Sequence, residues 1–178
     1  MNALIRSTLL VVATFSSVAW GQLPEKVPVC TDRYGQKVPV IVDVRVPTYA
    51  AAFFHPEYRR AMIVINPKIA DRFTPKFNAW VYLHECGHVV LGHVEPRWTL
   101  SARIEGIELF GKLPDRQAQL KELEADCWGA KQSAKHGYWR SEADVSEVIK
   151  QMVDWKEDPE HPSGVVRAKG LIACLQRI

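Results

Sequence analysis

The chain has 178 residues, of which 47% are hydrophobic, a length and composition that suit one globular domain with a buried core. Its formal net charge is only +3, and the Lys and Arg residues are scattered along the chain rather than clustered. Nucleic-acid binding is typical of chains with a basic stripe, and the sequence shows none, so we expect no nucleic-acid partner.

The N-terminus has the parts of a signal peptide, which we place at residues 1–21. Arg6 supplies a positive charge, a short apolar run covers residues 9–18, and small residues follow at positions 19 and 21. The run is short for a membrane span, so we expect cleavage before Gln22. The mature chain would then be exported, periplasmic or secreted, with no stable membrane span. An uncleaved membrane anchor is the alternative.

The mature chain begins with an irregular arm over residues 22–36, which are rich in Pro and turn-forming residues. A domain covering residues 37–178 follows. Three strands are predicted at its start, over residues 37–46, 50–54 and 61–66, because these stretches are rich in β-branched and apolar residues. The last two are joined by a short polar turn, which predicts an antiparallel pair.

Helical periodicity replaces the strand pattern from Thr74 onward, where Pro75 suits a first helical turn. Ser141 with Asp144 resembles a capping box at the start of a later helix. Strands followed by helices predict an α+β fold with one small antiparallel sheet. The predicted helices cover about residues 75–92, 114–136, 141–155 and 165–177, with short helices and loop over 95–113.

The segment WVYLHECGHVVLGH, residues 80–93, holds three of the six histidines of the chain. His84 and His88 lie four residues apart, so on a helix both imidazoles can reach one point, a spacing that suits Zn²⁺. Glu85 is rotated about 100° from His84 and could take a proton from a water at the metal. The alternative is a buried helix whose histidines are satisfied by hydrogen bonds, but without a metal such burial would cost several kcal/mol.

A catalytic zinc needs a third protein ligand and an open position. His93 does not fit the metzincin spacing and is interpreted as structural, near the helix C-terminus. In KELEADCWGA, residues 121–130, Glu122 is the predicted third ligand. Asp126 lies on the same helix face and could accept a hydrogen bond from the far nitrogen of a ligand histidine. Glu124 is rotated about 200° from Glu122 and should point elsewhere. The alternative is an ordinary solvated acidic face.

All four cysteines follow the predicted cleavage site, and an even count in an exported chain predicts disulfides with three possible connectivities. Cys86 and Cys127 are rotated away from the predicted ligand faces, so we interpret them as structural or disulfide-bonded rather than as zinc ligands. We favour a Cys30–Cys174 pair, which would link the irregular arm to the last helix.

Three stretches, HECGHVVLGH, ELEAD and HPSGVVR, resemble the landmarks of the CAAX prenyl protease-like gluzincin peptidases, the family that includes the HtpX heat-shock protease. That family shows H-E-x-x-H, then E-x-x-A-D, then His-Pro with an Arg six places after the His, a spacing that His161 and Arg167 keep. The resemblance covers roughly residues 38–175 and implies a zincin-like fold that binds one Zn²⁺ per chain.

The resemblance also implies roles for individual residues. Glu85 would be the general base, and His161 would lie near the site and help to hold the transition-state oxyanion. Asp126 and Arg167 would support the metal ligands without binding the metal themselves. The implied zinc ligands are His84, His88 and Glu122. The chain is thus expected to be a small exported zinc endopeptidase that acts on protein or peptide substrates. Its oligomeric state is not predicted.

The chain departs from the family at one position that approaches substrate. Family members often carry Asn-Ala-Phe there, whereas this chain has Ala51 followed by Ala-Phe. Because that Asn is missing, the alternative function stays open, a zinc-stabilised binding or chaperone-like protein that does not cleave. Residues 61–69 resemble the family's edge strand and following turn, so we expect substrate to lie antiparallel to residues 61–66.

Overall fold

The computed structural model of the chain describes residues 27–94 and 115–176. The predicted signal peptide, the first residues of the arm and the predicted 95–113 segment lie outside them. The α+β class is confirmed. The elements are β1 (Val40–Val42), β2 (Ala50–His55), β3 (Arg60–Ile65), α1 (Pro67–Ala70), α2 (Pro75–Val90), α3 (Asp115–Lys135), α4 (Glu142–Met152) and α5 (Gly164–Leu175).

The three strands form a small mixed sheet in the order β1-β3-β2. The predicted antiparallel pairing of β2 with β3 is confirmed, with Ala50 opposite Ile65. The prediction of a purely antiparallel sheet is wrong, because β1 pairs with β3 in parallel. The chain reverses direction twice between β1 and β3, which restores the original direction. The first strand is also shorter than predicted, since the Asp43 carboxylate accepts from the Arg45 N–H and turns the chain after Val42.

The predicted edge position of residues 61–66 is also wrong. β3 lies in the middle of the sheet, with β1 on one side and β2 on the other. Its side chains at Ile63 and Val64 are buried accordingly. Among the described strands β2 is therefore an edge strand, and it is the one that lies beside the cleft described below.

Helix α2 runs through the centre of the domain. Thr74 caps it by accepting from the Phe77 N–H, and Gly92 follows its end with a φ of 74°. Such a left-handed conformation favours glycine, and the predicted end of this helix near residue 92 is confirmed. The predicted capping box is present at the start of α4, where Ser141 and Asp144 bond reciprocally. None of the helices in the described ranges is long and apolar enough to cross a membrane.

Two apolar clusters bury opposite faces of α2. The first packs α2 against the sheet and the arm through residues such as Ile63 and Leu83. The second packs α2 against the later helices through Phe77, Trp80 and Leu171. Because α2 is covered on nearly every side, polar side chains on it must find partners inside the protein.

Two disulfides are present, Cys30–Cys86 and Cys127–Cys174, so the preferred Cys30–Cys174 pair is wrong. The arm docks on the sheet-facing side of α2, where the Tyr82 hydroxyl accepts from the Cys30 N–H at 2.9 Å. This contact brings Cys30 beside Cys86, while α5 packs along α3 and brings the other two cysteines together. Two disulfides are consistent with an exported protein.

Candidate metal centre

Two ligand-type side chains project from the same face of α2. His84 and His88 are both buried, and their Nε2 atoms lie 3.1 Å apart. The i, i+4 spacing on a regular helix places the two rings above one another, as predicted from the motif. Glu85 follows His84, is 8% exposed and faces the same cleft.

The third side chain comes from α3. Glu122 Oε2 lies 3.3 Å from His84 Nε2, and Glu122 Oε1 lies 3.1 Å from His88 Nε2. These three residues form a group whose ligand atoms all lie within 4.8 Å of one another, and they could hold a metal ion. The structure thus brings together the three predicted ligands.

The spacing of these atoms can be tested against a tetrahedral site. Bonds of about 2.0–2.1 Å from Zn²⁺ to nitrogen and oxygen at tetrahedral angles separate neighbouring ligand atoms by roughly 3.3 Å. The two imidazole nitrogens lie 3.1 Å apart. His84 Nε2 is 3.3 Å from Oε2 of Glu122, and His88 Nε2 is 3.1 Å from the other oxygen, Oε1. The two imidazole nitrogens are therefore spaced as neighbouring zinc ligands would be, the Glu122 carboxylate lies within reach of both, and this donor set fits zinc.

A buried ion pair stands behind His84. His84 Nδ1 lies 2.8 Å from Asp126 Oδ1, the contact that the spacing of Glu122 and Asp126 predicted. Arg167 from α5 donates to both oxygens of the same carboxylate, at 2.6 and 2.9 Å. Because Asp126 accepts the Nδ1 proton, Nε2 is the His84 nitrogen that faces the centre and would bind a metal.

Arg167 is itself held in place by aromatic rings. Its guanidinium carbon lies 5.5 Å from the ring centroids of both Trp80 and Trp155. Its Nη2 is also 3.9 Å from Glu122 Oε2. The residue is only 4% exposed, so its charge acts on Asp126 and Glu122 rather than on solvent. Sequence reading placed Arg167 near the site but did not identify the two tryptophans around it.

A second polar chain stands behind His88. His93 Nδ1 lies 3.1 Å from His88 Nδ1, and His93 Nε2 lies 3.1 Å from Glu124 Oε2. Sequence reading treated His93 as structural and expected Glu124 to point elsewhere. Glu124 does point away from the three ligands, but it reaches His93. The sequence feature that could have revealed the His88–His93 contact is Gly92. The turn at this glycine brings the His93 backbone nitrogen to 2.8 Å from the His88 carbonyl oxygen.

The electrostatics of the protein favour a cation here. Burial lowers the pKa of His84, but hydrogen bonds to Asp126 and Glu122 outweigh burial and raise that pKa to about 10. Burial raises the pKa of Glu122, whereas His84 and His88 lower it by more, so the carboxyl is ionised. The pKa of Asp126 is lowered despite its burial, chiefly by the charge of Arg167. In the metal-free protein, a proton on His84 therefore occupies the place that a metal would take.

The centre opens into a cleft of about 380 Å³ between β2 and α3. Residues 50–52 of β2 line one side, and Ala118 and Lys121 line the other. An adjoining cavity of about 400 Å³ is lined by Trp80 and Trp155. The lining residues shared by both spaces include His84, Glu85, Glu122 and His161.

His161 lies at the mouth of the cleft rather than in its floor. Its Nδ1 is 3.0 Å from the Asp158 carboxylate, and its side chain is 45% exposed. Burial raises the pKa of Asp158, but its hydrogen bonds from His161 lower it, so the carboxylate is ionised. The other ring nitrogen, Nε2, could donate to an anionic oxygen in the cleft when it carries a proton.

Comparison of the chain with protein-family models, curated proteins and solved structures gives no match. The resemblance to the CAAX prenyl protease-like gluzincins therefore stays a prediction based on the three motifs. The functional assignment below depends on the geometry of the site.

Proposed function

We propose that this protein is an exported, zincin-like zinc endopeptidase that hydrolyses peptide bonds with Glu85 as the general base. One observation carries the proposal. Two imidazole nitrogens and a carboxylate lie within 4.8 Å of one another, and all three residues line an open cleft. Three protein ligands with one open position are typical of catalytic zinc, whereas structural zinc is usually closed by four.

The chemistry needs few groups from the protein. Zinc held by His84, His88 and Glu122 would polarise the scissile carbonyl and make water a stronger acid. Glu85 lines the cleft beside these ligands and is not one of them, so its carboxylate can take the water proton and pass it to the leaving amine. His161 donates to the oxygen that becomes negative, since its ring stands at the same cleft.

Substrate would lie along β2. This edge strand has no partner on its cleft side among the described strands, and residues 50–52 line the cleft. An extended peptide that pairs with β2 by main-chain hydrogen bonds passes over the three ligands. The alanine side chains there are small and apolar, so recognition at this edge depends on the backbone. This placement replaces the expectation that residues 61–66 receive the substrate.

The absence of a polar side chain at Ala51 favours one alternative. A zinc-stabilised binding or chaperone-like protein would use the same edge strand and cleft to hold an extended peptide without cleaving it. The two functions differ in whether the Glu85 carboxylate matters, because proton transfer needs it and peptide binding does not.

The decisive experiment compares wild type with Glu85→Gln on a peptide library and an unfolded-protein panel. Gln is nearly isosteric, so zinc content should be unchanged while cleavage falls by about 10²–10⁴-fold. Glu57→Gln, at the exposed turn between β2 and β3, is the matched control and should cleave like wild type. If wild type cleaves nothing but binds zinc and peptide as well as Glu85→Gln does, the binding function replaces the peptidase.

A further inference from the structure

The hydrogen-bonded chain from His88 to Glu124 runs from the centre to the protein surface. The His88 side chain is 11% exposed, the His93 side chain is 7% exposed and the Glu124 side chain is 65% exposed. Both hydrogen bonds, from His88 to His93 and from His93 to Glu124, are 3.1 Å long. The His93 backbone is also fixed, because its N–H donates to His88 and its carbonyl accepts from Lys121 Nζ at 3.0 Å.

The protons in this chain can be assigned from the geometry. His88 Nε2 faces His84 and Glu122, so a metal would take its lone pair. A neutral imidazole that binds through Nε2 carries its proton on Nδ1. His88 Nδ1 then donates to His93 Nδ1, which must be unprotonated. The remaining His93 proton is on Nε2, where the Glu124 carboxylate accepts it.

We infer that His93 is a positioning residue for the metal: it orients His88 by accepting its Nδ1 proton, and Glu124 holds His93 in the required tautomer. This inference rests on the metal-binding part of the proposed function and not on peptide cleavage. The centre would then have two such supports. Asp126 with Arg167 orients one ligand histidine, and His93 with Glu124 orients the other.

Two substitutions at the same position separate this role from simple packing. Asn carries its amide oxygen at the δ position, where His93 has Nδ1, so His93→Asn keeps an acceptor for His88. Gln carries its amide one atom further out, so His93→Gln can reach Glu124 but leaves the His88 proton without an acceptor. His136→Asn and His136→Gln, at the exposed end of α3, are the matched controls.

The measurement is the zinc dissociation constant from competition with a chelator, with thermal melting of each metal-free variant as the check on folding. We expect His93→Gln to weaken zinc binding by about 10–100-fold, the range typical of losing a residue that hydrogen-bonds to a metal ligand. The zinc affinity of His93→Asn should stay close to that of wild type. The ligand-field bands of the cobalt-substituted protein should change in the same order. Equal zinc affinity in both variants, whether reduced or not, would overturn the inference.

A second measurement needs no variant. Long-range proton–nitrogen NMR of the zinc-loaded wild type should show His88 protonated at Nδ1 and His93 protonated only at Nε2. A proton on His93 Nδ1 would overturn the inference while leaving the proposed function intact. A wild-type protein that binds no zinc would overturn the proposed function and this inference with it.

Discussion

Gly129 on α3 lies directly against the backbone of His84 on α2. A Cβ atom at position 129 would be 3.0 Å from the His84 amide nitrogen and 3.2 Å from its Cα. On the facing helix, a Cβ at Gly87 would be 3.2 Å from the carbonyl oxygen of Ala125. The two glycines let the helices approach closely enough for Glu122 to reach both histidines.

Replacing Gly129 by alanine should therefore destabilise the protein, although alanine favours helix by about 1 kcal/mol over glycine. The new methyl would meet backbone atoms that cannot move aside, and such overpacking typically costs about 1–3 kcal/mol. Zinc affinity should fall as well, since α3 would be pushed away from α2. Chemical denaturation and chelator competition measure the two effects.

Gly170→Ala is the control for this prediction. A Cβ at Gly170, inside α5, would be 3.4 Å from Leu123 Cδ2, the end of a flexible side chain. This variant should be as stable as wild type or more stable. If Gly129→Ala behaves in the same way, the close approach of the two helices does not matter to the fold.

Glu122→Ala should remove most of the bound metal. Wild type should bind one zinc per chain, and without Glu122 the two histidines would be its only ligands among the described residues. Metal analysis of the purified proteins measures this, with Glu57→Ala as a surface control. Near-stoichiometric zinc in Glu122→Ala would mean that another residue is the third ligand.

Asp126→Asn tests the support behind His84. Asn keeps the shape of the side chain but loses the charge that Arg167 neutralises and that holds the Nδ1 proton of His84. We expect zinc affinity to fall by about 10–100-fold. The metal-free protein should also become less stable, because Arg167 would stay buried without its charged partner. Unchanged zinc affinity and stability would mean that the Asp126 carboxylate contributes neither to metal binding nor to the stability of the protein.

A pH dependence of stability follows from Asp144. Its hydrogen bonds with Lys76 and with the Arg140 N–H lower its pKa from 3.8 to about 2. A folded-state pKa below the unfolded value stabilises the protein above about pH 4, and that contribution is lost as the pH falls towards 2. The melting temperatures of metal-free wild type and Asp144→Asn should therefore differ at neutral pH and converge near pH 2. A constant difference would rule out this carboxylate as the cause.

The sequence by itself determined the local chemistry of the centre. The His84/His88 pair, the capping box at Ser141 and the helix stop at Gly92 all depend on residues within about one or two helical turns of each other. Helical geometry therefore fixes their relative positions before any tertiary contact forms. The choice of Glu122 as third ligand drew on the same spacing rule, applied to a second helix.

Only the tertiary structure decided which distant segments meet. β1 enters the sheet beside β3, which makes β3 central and β2 an edge strand, a pairing that strand propensity does not specify. Cys30 pairs with a cysteine 56 residues away because the arm docks on α2. His93 meets Glu124 across 31 residues of sequence because α3 lies against α2. Contacts of this kind depend on packing over the whole domain, and they cannot be predicted from the spacing of residues along the chain.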